Sequence, residues 1–209
     1  MNKAKVSKII ERLSTEYLDA KPQLLYNSDY QLLVAVILSA QCTDKRVNIV
    51  TENLFKDYGT PEKMLTLSFE ELSNIVKPCG LYNAKAKHIL SATKDIVEKH
   101  GGVVPSDFDA LTSLSGVGRK TADVMISVAF NGDAIAVDTH VFRLANRIGI
   151  VKADTPYKTE LGLMKKIDKK LWSKSHHYLI YHGRNVCTAR KPNCNACVIK
   201  DLCEYKDKL

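Results

Sequence analysis

The chain reads as an all-α protein, and three observations carry that reading. Apolar residues recur at helical spacing through most of the 209 positions, as in Val6, Ile9, Ile10, Leu13 and Tyr17. Helix-start chemistry recurs as well, in Thr60-Pro61, in Ser68 with Glu71, and in Thr155-Pro156. Alternating patterns that would mark strands are sparse.

The first helix ends before Pro22, which cannot continue it. Asp29 to Ala40 reads as the second, and its near-continuous apolarity predicts a central helix packed on most sides. Ser39-Ala-Gln-Cys-Thr-Asp44 ends it, and Thr43 or Asp44 caps a third helix carrying Val47, Val50, Leu54 and Phe55. Two short helices follow Thr60 and Ser68. Lys77-Pro-Cys-Gly80 then breaks the chain before Leu81, and Asn83 is expected to cap a long helix through Ile89, Leu90, Ile96 and Val97, stopped by Gly101-Gly102. A short helix over about Asp107 to Leu114 leads to a glycine hairpin, and a further helix runs from Arg119 to near Asn131-Gly132. Beyond it, Val141, Leu144, Ala145 and Ile148 form a helix closed by Gly149. Thr155-Pro156 starts one with Leu161, Met164 and Ile167 inward, and the last covers about Lys174 to Val186.

The chemistry concentrates between Leu114 and His140. Gly116 and Gly118 flank Val117, and residues without Cβ let backbone NH groups approach a bound group closely. Added to the free NH groups of the helix that follows, they make a site for an anion, for which a nucleic-acid phosphate is one candidate and a plain helix-helix turn the alternative. Lys120 falls in the first turn of that helix, where the macrodipole and neighbouring Arg119 favour the neutral amine that can attack carbon. Asp138, eighteen positions on, precedes the next helix and reads as its N-cap. A cap is compatible with catalysis, because capping holds the carboxylate ionised while one oxygen faces outward.

With 45% hydrophobic residues the chain can bury a sizeable core, in one domain or two modest ones. Its net charge of +8 suits a polyanionic partner. The longest apolar run, Leu32 to Leu38, is too short to span a bilayer, and the N-terminus has no secretory pattern, so a cytosolic protein without a membrane partner is expected, nucleoid-associated in a prokaryote. In that compartment six cysteines do not suit structural disulfides. Cys187, Cys194, Cys197 and Cys203 are spaced C-x6-C-x2-C-x5-C and call for a metal centre. Zinc and an iron-sulfur cluster both accept four thiolates, and the spacing favours the cluster because zinc sites more often pair two short knuckles. Arg184, Arg190 and Lys191 flank or occupy this loop, either as a basic finger for phosphates or as ordinary solvated charges. Cys42 and Cys79 lie outside the spacing and read as loop or buried thiols.

Five ordered stretches resemble the endonuclease III family of the helix-hairpin-helix superfamily: LSAQCTD at 38–44, GLYNAKA at 80–86, LSGVGRKTA at 114–122, VDTHVFR at 137–143 and the four-cysteine tail. One residue departs from the pattern, Cys42, where the family often has Ala. The resemblance implies two helical lobes with the active site in a cleft between them, one of about six helices over 22–131 and one joining 1–21 to 132–209, with the helix-hairpin-helix at about 107–130 and a [4Fe-4S] cluster held by the four tail cysteines. It implies a base-excision glycosylase with abasic-site lyase activity on oxidised pyrimidines, acting as a monomer on double-stranded DNA containing a damaged base or abasic site.

The roles follow the same resemblance. Lys120 is the nucleophile and Asp138 the carboxylate; Gln41 and Leu81 fill the gap in the duplex; Ser39, Asp44 and His140 stand near the pocket. Gly116, Val117, Gly118, Arg119, Thr121, His140, Arg143, Arg184, Arg190 and Lys191 are the remaining expected DNA contacts. Two alternatives stay open at this point: a monofunctional glycosylase using water, and a non-enzymatic iron-sulfur DNA-binding module.

Overall fold

The computed structural model describes residues 1–207. Among them every regular element is helical, eleven α-helices with three 3-10 turns. The chain divides into two compact units, Pro22–Phe130 and the pair Met1–Lys21 with Asn131–Leu209.

The Pro22–Phe130 unit is built on α2 (Asp29–Leu38), in which all residues but Asp29 and Gln31 are buried. A helix apolar on every side needs neighbours on every side. It has them in α3 (Asp44–Tyr58), α6 (Tyr82–His100) and α8 (Arg119–Val128). Each fully buried Leu or Ile contributes roughly 1.5–3 kcal/mol relative to exposure, so Leu32, Leu33, Leu38, Leu54, Ile89 and Ile96 make this a self-sufficient core. The single-turn α4 (Pro61–Met64), α5 (Phe69–Val76) and α7 (Phe108–Ser113) close the unit. α5 starts on a complete capping box, with the Glu71 amide donating to Ser68 Oγ at 3.2 Å and the Ser68 amide to Glu71 Oε2 at 2.8 Å.

The second unit joins α1 (Lys3–Glu16) to α9 (Thr139–Ile148), α10 (Pro156–Lys166) and α11 (Trp172–Asn185). α11 packs on both α1 and α9, around Ile9, Leu13, Val141, Leu144 and Leu179. The cysteine tail follows α11, and Ile199 within it is fully buried in this core.

Three expectations need correction. Asn83 is not the cap of α6: the helix begins at Tyr82 after Leu81 in the left-handed region (φ 48°), and Asn83 Oδ1 instead accepts from Ser73 Oγ at 2.7 Å, tying α6 to α5. α8 ends at Val128, before Asn131, because the amides of Ala129 and Phe130 both close on Met125 O. In α10 the inward face carries Leu163, while Leu161 is 39% exposed. The Pro22–Phe130 unit holds seven α-helices, the four-residue α4 counted among them.

Candidate active site and metal centre

The glycine hairpin Leu114–Gly118 joins α7 to α8. Gly116 has φ +79°, and a Cβ there would come within 2.7 Å of His88 Cβ, so this glycine is required by the protein's own packing. His88 Nδ1 also bonds Ser115 Oγ at 2.9 Å, seating the hairpin on α6. Gly118 differs. Its φ of −89° suits any residue and a Cβ would meet nothing within 4 Å, so nothing inside the protein requires glycine there. As N-cap of α8 it offers no side chain to the helix's opening amides, which leaves the helix start open to an outside acceptor. Val117 is buried and its amide donates to Leu114 O at 3.1 Å, so it builds the turn.

Lys120 is the second residue of α8 and is exposed, and its amine makes no hydrogen bond or ion pair among the described residues. Arg119 lies with its guanidinium 4.7 Å from the Phe108 ring centroid, bracing the first turn of α8 against α7. Thr121 is half-buried on the next position.

Gln41 and Leu81 occupy loop tips of the same unit, after α2 and before α6. Both adopt left-handed backbone, φ 53° and 48°, a conformation that costs a side-chain-bearing residue energy and is concentrated at functional sites. Leu81 is 57% exposed, so it is no core contact. Ser39 Oγ donates to Val36 O at 2.8 Å and ends α2; Asp44 opens α3 directly after its Thr43 cap.

Asp138 belongs to the other unit. It caps α9, its Oδ1 accepting from the Val141 amide at 2.8 Å, which leaves Oδ2 outside the cap. The side chain is half-buried. His140 and Arg143 share the following turn, with Nδ1 and Nη2 3.3 Å apart. Arg143 Nη2 also donates to Gly183 O and Cys187 O, both at 2.9 Å, which joins α9 to α11 and the tail. Arg184, Arg190 and Lys191 are exposed.

The four tail cysteines, all free thiols, line one hollow together with Arg147 and His182. Three sulfurs meet a donor: Arg147 Nη1 stands 3.5 Å from Cys187 Sγ, His182 Nε2 3.4 Å from Cys197 Sγ, and the Tyr205 amide 3.4 Å from Cys203 Sγ. Such donors are what cluster-bound thiolates require around them. Burial pushes the Cys197 thiol up, and a bound iron would supply the positive charge that makes it a ligand. The site fits a cluster.

Sequence reasoning missed the residues that hold this loop. Arg147 donates to Thr188 O at 2.7 Å and Ala189 O at 2.8 Å while lying over the Tyr205 ring. Buried His182 bonds Tyr17 Oη at 2.9 Å, and burial holds its pKa down at about 4, so the ring is neutral beside the sulfur. Their only sequence signal was position, on the helices before the first cysteine.

Comparison with known proteins defines the class first. Residues 34–169 match the model of the HhH-GPD superfamily of base excision DNA repair proteins, and residues 187–203 match the iron-sulfur binding domain of endonuclease III. Among curated relatives, endonuclease III of Rickettsia conorii is 50% identical over 96% of this chain and 95% of its own, and that of Haemophilus influenzae is 46% identical over 100% and 99%. A solved endonuclease III trapped as a covalent intermediate with DNA, in an estranged-adenine complex, is 41% identical with a TM-score of 0.93, covering 98% of this chain and 96% of that one. The chain belongs to the endonuclease III family, and its cofactor is a [4Fe-4S] cluster.

Proposed function

We propose that Lys120 and Asp138 carry the chemistry of this base-excision DNA glycosylase and abasic-site lyase, and that its substrates are oxidised pyrimidines in duplex DNA. The observation that carries the reading is the Lys120 amine, exposed and unpartnered two residues into a helix whose glycine cap makes no side-chain bond to its opening amides. A monofunctional glycosylase has no use for such an amine. The covalent DNA intermediate of the 41%-identical relative supports the same chemistry.

A stacked base cannot be reached, so the damaged nucleotide leaves the duplex, at a cost of a few kcal/mol that is smaller for a damaged pair. The hairpin, the start of α8 with Arg119 and Thr121, and the basic residues Arg184, Arg190 and Lys191 hold phosphates. Gln41 and Leu81 fill the vacated space, and Ser39, Asp44 and His140 stand as polar groups near the extruded nucleotide. Lys120 Nζ then bonds to C1′ as the C1′–N bond to the base breaks; the base leaves with the electron pair and takes up a proton. Asp138 stabilises the positive charge on the sugar and relays the proton lost by the amine. Opening of the sugar ring yields a Schiff base. That electron sink allows loss of a C2′ proton, the C3′–O bond breaks, and the strand is cut on the 3′ side before water releases Lys120.

The cluster, when bound, supplies four iron–thiolate links that fix the tail; the reaction itself uses the side chains above. The enzyme acts as a cytoplasmic monomer. Among the described residues no helix is long and apolar enough to cross a membrane.

The test is a panel of end-labelled duplexes, each with one oxidised pyrimidine, one oxidised purine or one abasic site. The expected result is cleavage at the oxidised pyrimidines and the abasic site, leaving a 3′ unsaturated aldehyde. Faster release of purines than of pyrimidines overturns the assigned substrate class.

A further inference from the structure

Lys85 is the one lysine that is buried among the described residues, 3% exposed in the first turn of α6. Its Nζ donates to Leu38 O at 2.9 Å and to Cys79 O at 2.8 Å. Leu38 is the last residue of α2, and Cys79 the last of the 3-10 turn Lys77–Cys79. Each of these carbonyls stands where a loop departs: Gln41 follows Leu38 by three positions and Leu81 follows Cys79 by two. These two tips account for two of the three left-handed non-glycine residues in the described chain. Such backbone persists only where the surroundings over-determine it.

Burying an ammonium is costly, and desolvation pushes the pKa of Lys85 down. A position that needed only volume would take Met or Leu at lower cost. The charge is matched instead by carbonyls at two helical C-termini, the negative ends of those segments.

We propose that Lys85 is a positioning residue that clamps the Gln41 loop to the Leu81 loop, so that both tips enter the duplex as one rigid wedge and drive extrusion of a base that is still paired. The inference rests on the reading that Gln41 and Leu81 fill the gap in the duplex. It separates two substrates of the same enzyme. A paired oxidised pyrimidine must be forced out of the stack, whereas an abasic site has no base to displace, and loose loops harm the first far more than the second.

The experiment compares Lys85→Met, Leu81→Ala and the double variant in single-turnover assays, on a duplex with one paired oxidised pyrimidine and on the same duplex with a preformed abasic site. In the first duplex 2-aminopurine stands opposite the lesion, its fluorescence reporting unstacking. Lys85→Met is expected to slow base removal by about tenfold or more and to reduce the 2-aminopurine signal, because small misplacements of positioning groups are costly. Cleavage of the abasic duplex is expected to stay within about threefold of the parent. The double variant should be no more than about twofold slower than Leu81→Ala alone, since the two residues act as one unit. Should Lys85→Met not accumulate as folded protein, Lys85→Gln, which can still donate to one carbonyl, takes its place in the same comparison. Equal slowing on both substrates, or independent effects of Lys85 and Leu81, overturns the clamp. If Leu81→Ala has no effect on the paired lesion, the gap-filling reading itself fails and the clamp falls with it.

Discussion

At the scale of single residues, Asp138 answers to two demands that one substitution pair can separate. As cap of α9 it bonds the Val141 amide, a role asparagine fills equally well; as the proposed carboxylate it must carry charge. Asp138→Asn is therefore expected to keep the thermal stability of the parent while slowing base removal by about a hundredfold or more. Asp138→Ala is expected to lose about 1 kcal/mol of stability as well. Thermal melts beside single-turnover rates check both; an Asn variant of full activity would leave Asp138 a cap alone. The positions of Lys120 and Asp138 at helix starts were legible in the sequence, one directly behind a glycine turn and the other directly before an apolar helix pattern. The structural bonds of Arg143 were not legible, because its acceptors lie 40 and 44 positions away and no local pattern reveals them.

At the scale of elements, the hairpin distinguishes a glycine needed for folding from one that the fold leaves unexplained. Gly116→Ala puts Cβ against His88 in a left-handed backbone and is expected to cost about 1–3 kcal/mol. Gly118→Ala meets open space and is expected to leave stability within about 0.5 kcal/mol of the parent. Both should weaken binding to duplex DNA, the second by crowding the phosphate alone. Titration of a labelled duplex alongside denaturant unfolding reads the difference, and unchanged DNA affinity of Gly118→Ala would contradict a phosphate at that turn. Helix starts with a Ser, Thr or Asp cap were readable, as at Thr43, Ser68, Asp107 and Asp138. The start of α6 was not, because the chain enters it through left-handed Leu81 with no capping side chain, and Asn83 offered a plausible but wrong substitute.

At the scale of the molecule, the tail is a short, loop-rich segment whose own apolar contribution to the core centres on Ile199. The contacts of Arg143 and Arg147 hold it, and four iron–thiolate links would fix it further, so that binding the metal would be part of folding it. Removing iron with a chelator under reducing conditions is expected to expose residues 187–203 to protease and to weaken DNA binding, the second effect arising from the displaced Arg190 and Lys191. Limited proteolysis with mass spectrometry checks this; a tail equally protected without iron would show that the protein contacts alone suffice. The cluster loop was legible from cysteine spacing, and the polyanionic partner from the +8 charge. The supports around the sulfurs were not, since Arg147, His182 and Tyr17 reach the loop only through the packing of α1, α9 and α11.

The most direct test of the whole account is trapping at Lys120. Borohydride added while the protein acts on an abasic duplex reduces a Schiff base to a stable amine, and peptide mapping locates it. The account predicts one protein–DNA adduct, formed through Lys120 and absent in Lys120→Ala. An adduct through another lysine, or strand cleavage by the native protein with none formed, would contradict it.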